Sequence, residues 1–293
     1  MKKTTLLLSF LSIIILSCNK IDTKDEIFTI ISPVEVTDWD PEYAAGVVRN
    51  IYIEEFTGHR CIYCPAGANE LKAIMEEDPT VIATAIHCSS LANPLSNPLF
   101  SNNYKTPMGD IIYDYFNIKG LPKATINRMK IGAEWGIIPS QWSSKIAGVD
   151  RSNITAGIQL ECTVDEVSQE IEAKVAVTII KEIPNRVQIC VILQQDSIIS
   201  GQMFPSGQID DAYVHTHMLR AGFNGHFGTK LTPNGFVSAR KKYSTSFVLS
   251  YKNSFPYSNT PLEIKNSSVV AYLIDIETKE ILQVECVPLM PSR

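Results

Sequence analysis

The stretch that decides the fold is Val48–Pro65, VRNIYIEEFTGHRCIYCP. Val48 to Phe56 is dense in β-branched and aromatic residues, which predicts a buried strand. Thr57-Gly58 makes a turn, Cys61 and Cys64 follow, and Pro65 suits the first turn of a helix. Ala66–Glu77 (AGANELKAIMEE) brings Ala68, Leu71, Ile74 and Met75 to one face, so the spacing predicts a helix over 66–77. Val81–His87 (VIATAIH) predicts a second buried strand.

Three readings compete for the C-x-x-C. A cysteine at a helix N-terminus has its thiolate stabilised by unpaired backbone N–H groups and the helix dipole. His59 and Arg60 add positive charge on this reading, and Cys64, one turn deeper, attacks a mixed disulfide at Cys61. A zinc site needs two further ligands at a matching spacing. There is no second C-x-x-C, and His59 is too close in sequence to be an obvious partner, so no metal is expected. A purely structural Cys61–Cys64 disulfide, on a scaffold kept for binding, fits the same spacing.

The order Glu55-Phe56, four residues, Cys61-Ile62-Tyr63-Cys64-Pro65 resembles the strand–loop–helix signature of the thioredoxin superfamily. That resemblance implies a role for Glu55, since protein disulfide isomerases carry a buried glutamate there that relays protons to and from the inner cysteine. Asp110–Ile118 (DIIYDYFNI) runs into Lys119-Gly120-Leu121-Pro122 and then the strand Ala124–Asn127. This resembles the superfamily's helix, Gly-x-Pro, strand element. It implies a cis Pro122 facing the two cysteines, with the backbone of Leu121 turned outward to pair with an extended substrate. The sequence departs from the family in carrying Arg60 before the first cysteine, Lys123 after the proline, and an Asn/Pro/Ser-rich insertion over 88–107.

The N-terminus reads as an address. Lys2 and Lys3 precede an 11-residue apolar stretch, Leu6–Leu16, too short to span a bilayer but suited to a signal peptide. It ends Ile15-Leu16-Ser17-Cys18, which resembles a lipobox with Cys18 as the lipidated first mature residue. Residues 1–17 are then a signal peptide and 18–46 a tether and linker. Loss of Lys2 and Lys3 takes the net charge from −5 to −7. Lipid anchoring places the chain outside the cytoplasm, where disulfides persist.

Beyond a boundary near Asp150-Arg151-Ser152 the pattern has period two. Ile158, Leu160 and Cys162 share one face, as do Ile171, Ala173, Val175, Val177 and Ile179. Val187–Gln194 is apolar on both faces, and Val269–Ile276 with Ile281–Val287 forms a hairpin. Five or more strands without a good helix predict a β-sandwich over 151–293. Ser197–Ser244, rich in Gly, Asn, Phe and His, reads as one long loop. Within it His215 and His217, two apart, face the same side if extended. They read as part of a hydrogen-bonded loop core. Cys88, at the end of a strand, reads either as a third redox thiol or as a buried residue of the insertion.

The expected fold is therefore α/β plus all-β: a thioredoxin-like domain over 47–150 followed by a β-sandwich domain. The layout resembles the outer-membrane-protein-28-related lipoproteins of Gram-negative bacteria, on Glu54-Glu55-Phe56-Thr57-Gly58, both cysteines, and His215-Thr216-His217-Met218-Leu219-Arg220. That resemblance implies an outer membrane lipoprotein, facing the periplasm or the cell surface. Net charge −5 and pI about 5.6, with no block of like charge, argue against a nucleic-acid partner. The expected partners are the membrane, through the lipid, and protein thiols or disulfides of the cell envelope. No cofactor is implied. The expected function is thiol–disulfide exchange, with Cys61 as nucleophile, Cys64 as resolving thiol, Glu55 as proton relay, and Pro122 with Leu121 as substrate platform. The alternative is a surface binding or adhesin-like lipoprotein whose thioredoxin-like half is a non-catalytic scaffold.

Overall fold

The computed structural model describes residues 29–30, 32–252 and 259–290. The expected signal peptide over 1–17 and the expected lipidation site Cys18 lie outside them. The first half contains β1 (Thr29–Ile30), β2 (Glu35–Asp38), α1 (Pro41–Gly46), β3 (Ile51–Thr57), α2 (Cys64–Glu77), β4 (Val81–His87), α3 (Pro107–Tyr115), β5 (Lys123–Ile126) and α4 (Trp142–Ala147). The second half is built from strands: β6 (Ala156–Asp165), β7 (Glu170–Ile179), β8 (Val187–Gln195), β9 (Ile198–Met203), β10 (Ile209–His215), β11 (Met218–Gly222), β12 (Thr229–Lys230), β13 (Lys241–Ser250), β14 (Ser267–Asp275) and β15 (Ile281–Pro288). The fold is mixed α/β and mostly β.

Local chemistry accounts for the helix starts. Asp40 accepts hydrogen bonds from the Glu42 and Tyr43 N–H groups at the head of α1. Thr106 accepts from Gly109 at the head of α3. At α2, Pro65 occupies the first turn and no side chain caps the N-terminus. The helix starts at Cys64 rather than Ala66, so Cys64 is its first helical residue and Cys61 precedes it by three.

One large sheet carries the order β15-β14-β8-β11-β4-β3-β5, with β12 also on β8. β3 and β4 run parallel around α2, and β5 is antiparallel to β3. The sheet passes through the boundary drawn at 150/151: β11 lies beside β4, with Met218 opposite Ala85 and the Ala85 N–H donating to the His217 carbonyl at 2.7 Å. Side chains reinforce this seam. The Tyr52 hydroxyl donates to Thr84, Thr84 donates to Gln194, and the Tyr52 and Tyr272 rings stack with centroids 4.9 Å apart.

Alternation sorts the core into faces. Tyr52, Phe56, Cys190, Ile192, Val270 and Tyr272 lie on one face of the large sheet, where α3 packs with Met108 and Ile112. On the other face Ile51 and Ile53 meet α2 and α4. Further along that face, Val191, Leu193, Val269 and Ala271 meet Val175, Val177 and Phe247 of a smaller sheet ordered β1-β13-β7-β6, with β2 also on β13.

Two expectations are corrected. Thr29–Ile30 and Glu35–Asp38, placed in the linker over 18–46, pair with β13 about 200 residues away in sequence. Segments of two and four residues are too short to show a period. The long loop over 197–244 instead forms β9 to β12 and the start of β13. Its Gly and Asn residues mark turns between short strands, and its edge strands carry polar side chains that mask the alternation.

Candidate functional site

Period two sends the adjacent acids of β3 to opposite faces. Glu54 goes with Tyr52 and Phe56, and is bound by the fully buried Arg128 through Nε at 2.8 Å and Nη2 at 2.6 Å, with Thr125 donating at 2.9 Å. The Arg128 guanidinium also lies over the Phe116 and Tyr272 rings. This pair ties β3 to the turn after β5, from which Arg128 Nη2 also donates to the Tyr272 hydroxyl of β14 at 3.2 Å, and the motif reading missed it because Arg128 lies 74 residues on.

Glu55 goes the other way, under α2. It is buried, its Oε1 has no hydrogen-bond partner, and burial pushes its carboxyl up to about 8. Gly67 of α2 lies over it: a Cβ there would stand 3.1 Å from Glu55 Oε1 and 3.1 Å from Pro122 Cβ. Helix, carboxyl and proline thus meet at van der Waals distance. The Leu121–Pro122 bond is cis. Leu121 is half-buried against the core around Phe116.

Cys61 and Cys64 are joined by a disulfide at the uncapped N-terminus of α2. Both residues are only 2% exposed. The β9–β10 hairpin covers them. Gln202 Nε2 donates to the Cys61 carbonyl at 3.0 Å, and the Met203 N–H donates to the His59 carbonyl at 2.9 Å. The hairpin is braced in turn by the 88–107 insertion. Gly201 lies so close to Leu99 that a Cβ would stand 2.5 Å from its carbonyl oxygen.

His59 does not supply the positive charge expected beside Cys61. It is buried and donates from Nε2 to the Asn93 carbonyl, and burial lowers it to about 4, leaving it neutral near pH 7. It belongs to a ring cluster. His59 and His87 centroids are 6.3 Å apart, His87 and His215 5.3 Å, and Tyr104 lies 5.3 to 5.7 Å from all three. Arg60 is turned to the Ser90 carbonyl.

His215 and His217 do not share a face. His215 ends β10 and points inward, its Nε2 3.3 Å from the Ser200 hydroxyl. His217 sits at φ +53° between strands, and its Nδ1 lies 3.1 Å from Asp196. Among the described residues no group of three or more His, Cys, Asp or Glu side chains is arranged to hold a metal ion. Cys88 is buried against the Thr57 carbonyl, and burial pushes its thiol well above the ordinary range, as expected of a core residue and not of a reactive thiol.

A cavity of about 30 Å³ lies beneath the hairpin, lined by Glu55, Cys64 and His87 and by Gln202, Tyr213 and His215 of the hairpin. Gln202 and Tyr213 were not anticipated as site residues. They come from a segment read as loop, and only the alternation Tyr213-x-His215 hinted at an inward face.

The family model for the outer membrane protein Omp28 matches residues 109–292, more than half of the chain. The chain belongs to the Omp28 family. Its localisation is accordingly the outer membrane, as the sequence implied. No curated protein matches the sequence. Among solved structures, HBP35 of Porphyromonas gingivalis is similar with a TM-score of 0.61 at 16% identity, covering 83% of this chain and 76% of that one. This likeness shows a shared fold. A protein from Agrobacterium tumefaciens aligns with a TM-score of 0.48 at 11% identity over 83% of this chain and 96% of its own. A domain of the outer membrane lipoprotein Omp28 from Porphyromonas gingivalis aligns with a TM-score of 0.33 at 19% identity, over 48% of this chain and 93% of its own.

Proposed function

We propose that this Omp28-family chain is a thiol–disulfide oxidoreductase of the cell envelope, built on a thioredoxin-like α/β half. The observation that carries the reading is the stacking of three features: the Cys61–Cys64 disulfide at the N-terminus of α2, the buried Glu55 beneath that turn, and cis-Pro122 beside it. In the dithiol form, the Cys61 thiolate attacks a protein disulfide. One substrate sulfur leaves as a thiolate, and a mixed disulfide forms at Cys61. Cys64 then gives its proton to the Glu55 carboxylate, and its sulfur attacks Cys61. The second substrate sulfur leaves. Two electrons have passed from the cysteine pair to the substrate disulfide, and one proton rests on Glu55. A carboxyl titrating near 8 suits this work, since both its forms are populated near neutral pH.

Equilibration in dithiothreitol buffers, with the two states separated by alkylation, tests the reading. A potential between about −270 and −120 mV is expected for a cycling pair, whereas one below about −300 mV marks a structural bond. Cys64→Ser is expected to accumulate envelope proteins disulfide-linked to Cys61, and Cys61→Ser to trap none.

One observation favours a second reading, a binding lipoprotein on a non-catalytic scaffold. Cys61 is 2% exposed, while Leu95, Ile199 and Val214 near the covering hairpin are 42%, 66% and 49% exposed. On that reading the apolar side chains meet a partner and the disulfide stays closed. A structural potential together with an absence of trapped partners is its signature.

A further inference from the structure

We infer that His87 and His215 carry protons between the buried Glu55 and solvent, an inference that rests on the thiol–disulfide reading. Glu55 is sealed on the α2 side by Gly67 and Pro122. Its unpartnered Oε1 belongs to a residue lining the small cavity beneath the hairpin, which is large enough for about one or two water molecules. His87 lines the same cavity. It is 3% exposed, and its Nδ1 likewise has no hydrogen-bond partner. The His215 ring follows at 5.3 Å, and its Nε2 reaches the hydroxyl of Ser200, which is partly exposed. A polar path therefore leads from carboxyl to surface through groups that the chemistry at sulfur leaves unused.

The imidazoles suit the task because they are neutral. A neutral imidazole has one N–H and one bare nitrogen, so it takes a proton at one and releases another from the other. Burial, together with the neighbouring histidines, holds His87 well below its ordinary range and His215 at about 3. Neither therefore traps the proton. The groups facing His87 are His59 from the loop after β3, Tyr104 from the insertion, His215 and Tyr213 from β10, and Glu55 from β3. Glu55 is the one carboxyl among the residues lining the cavity, so it is the group with a proton to exchange. Before Cys64 can give up its proton, the one already held by Glu55 crosses to His87 and leaves the carboxylate free. A proton leaves His87 for His215, and one leaves there by way of the Ser200 hydroxyl for water. Reduction of the disulfide runs the path inward.

Reaction of the reduced full chain with 5,5′-dithiobis(2-nitrobenzoate) separates the steps. Attack by Cys61 releases one thionitrobenzoate, and attack by Cys64 on the mixed disulfide releases a second, identified as the release absent in Cys64→Ser. The second step is expected to follow a pH profile with its midpoint near 8, which Glu55→Gln abolishes. His87→Phe is expected to keep that midpoint and lower the rate by about a hundredfold, the lower end of general acid–base effects. A larger solvent deuterium effect than in the unmodified protein should accompany the loss. A packing role alone lowers the rate without raising the isotope effect. Should His87→Phe not fold, His87→Gln and His215→Gln replace it, each preserving a polar side chain. Rates and isotope effects equal to those of the unmodified protein in these variants overturn the relay. A second release absent from the unmodified protein overturns the thiol–disulfide reading and the relay with it, whereas a second release indifferent to Glu55→Gln overturns the relay alone.

Discussion

The side-chain amide of Gln202 donates to the carbonyl oxygen of Cys61 at 3.0 Å, tying a hairpin from the β-rich half over the disulfide of the α/β half. The same amide also donates to the Met203 carbonyl at 3.0 Å, so the tie is made from a side chain already fixed in place. Reactivity at the cysteines is thereby coupled to the position of β9 and β10, two strands that pair with each other and with no other strand among the described residues.

Gln202→Ala removes that tie. A typical hydrogen bond contributes about 1 kcal/mol net, a factor of about five in an opening equilibrium. Reduction of Cys61–Cys64 by dithiothreitol is expected to accelerate by about that factor, read by quenched alkylation. An unchanged rate means that the hairpin does not limit access.

The Glu54–Arg128 pair is the opposite kind of contact, fully buried and doubly bonded. Arg128→Ala leaves a buried carboxylate without its counter-charge and is expected to cost about 3–5 kcal/mol in urea unfolding. Arg128→Met combined with Glu54→Gln is expected to recover much of that loss. A double variant no more stable than Arg128→Ala refutes the ion-pair account.

Elements with a strong period were legible in the sequence. Val81–His87, apolar on both faces, and the alternating strands from Ala156 to Ile179 lie where their patterns put them, because the first is buried on both sides and the others bury one face against a continuous core. The two cysteines, Glu55 and Pro122 were named together through the resemblance to the thioredoxin superfamily, and Gly67 of α2 lies against both Glu55 and Pro122. The cover was not legible. Gln202 and His215 reach the site through pairing at long range, and no local pattern encodes that. The neutral state of His59 also escaped the sequence, since its neighbours Phe100 and Tyr104 come from the insertion.

Gly67→Ala tests the contact between α2 and the carboxyl. Alanine favours a helix by about 0.5–1 kcal/mol over glycine. Here the new methyl meets the rigid Pro122 ring and the buried Glu55 carboxyl, each at 3.1 Å. Overpacking of this kind costs about 1–3 kcal/mol, so a net loss of about 1 kcal/mol in stability is expected. A stabilised variant means that Pro122 or Glu55 moves aside freely.

The buried titratable groups also set the pH dependence of folding. The Glu55 carboxyl sits at about 8 against an ordinary 4.5, so the folded state holds a proton that the unfolded chain has released across that window. Its contribution falls as pH rises, by up to about 1.4 kcal/mol per unit. The histidines act in the reverse sense. His59 at about 4, His215 at about 3 and His87 well below its ordinary value stay neutral when folded, whereas the unfolded imidazoles protonate below about 6.5. Their contribution is present above 6.5 and lost as pH falls. Between 4.5 and 6.5 three histidines oppose one glutamate, so stability is expected to rise with pH. From 6.5 to 8 Glu55 acts alone among these four, and stability is expected to fall. Urea midpoints taken from pH 5 to 8.5 should therefore peak near 6.5. Glu55→Gln should flatten the alkaline limb and leave the protein more stable than the unmodified chain at pH 8. A midpoint that keeps climbing through pH 8 in the unmodified protein contradicts a protonated, buried Glu55.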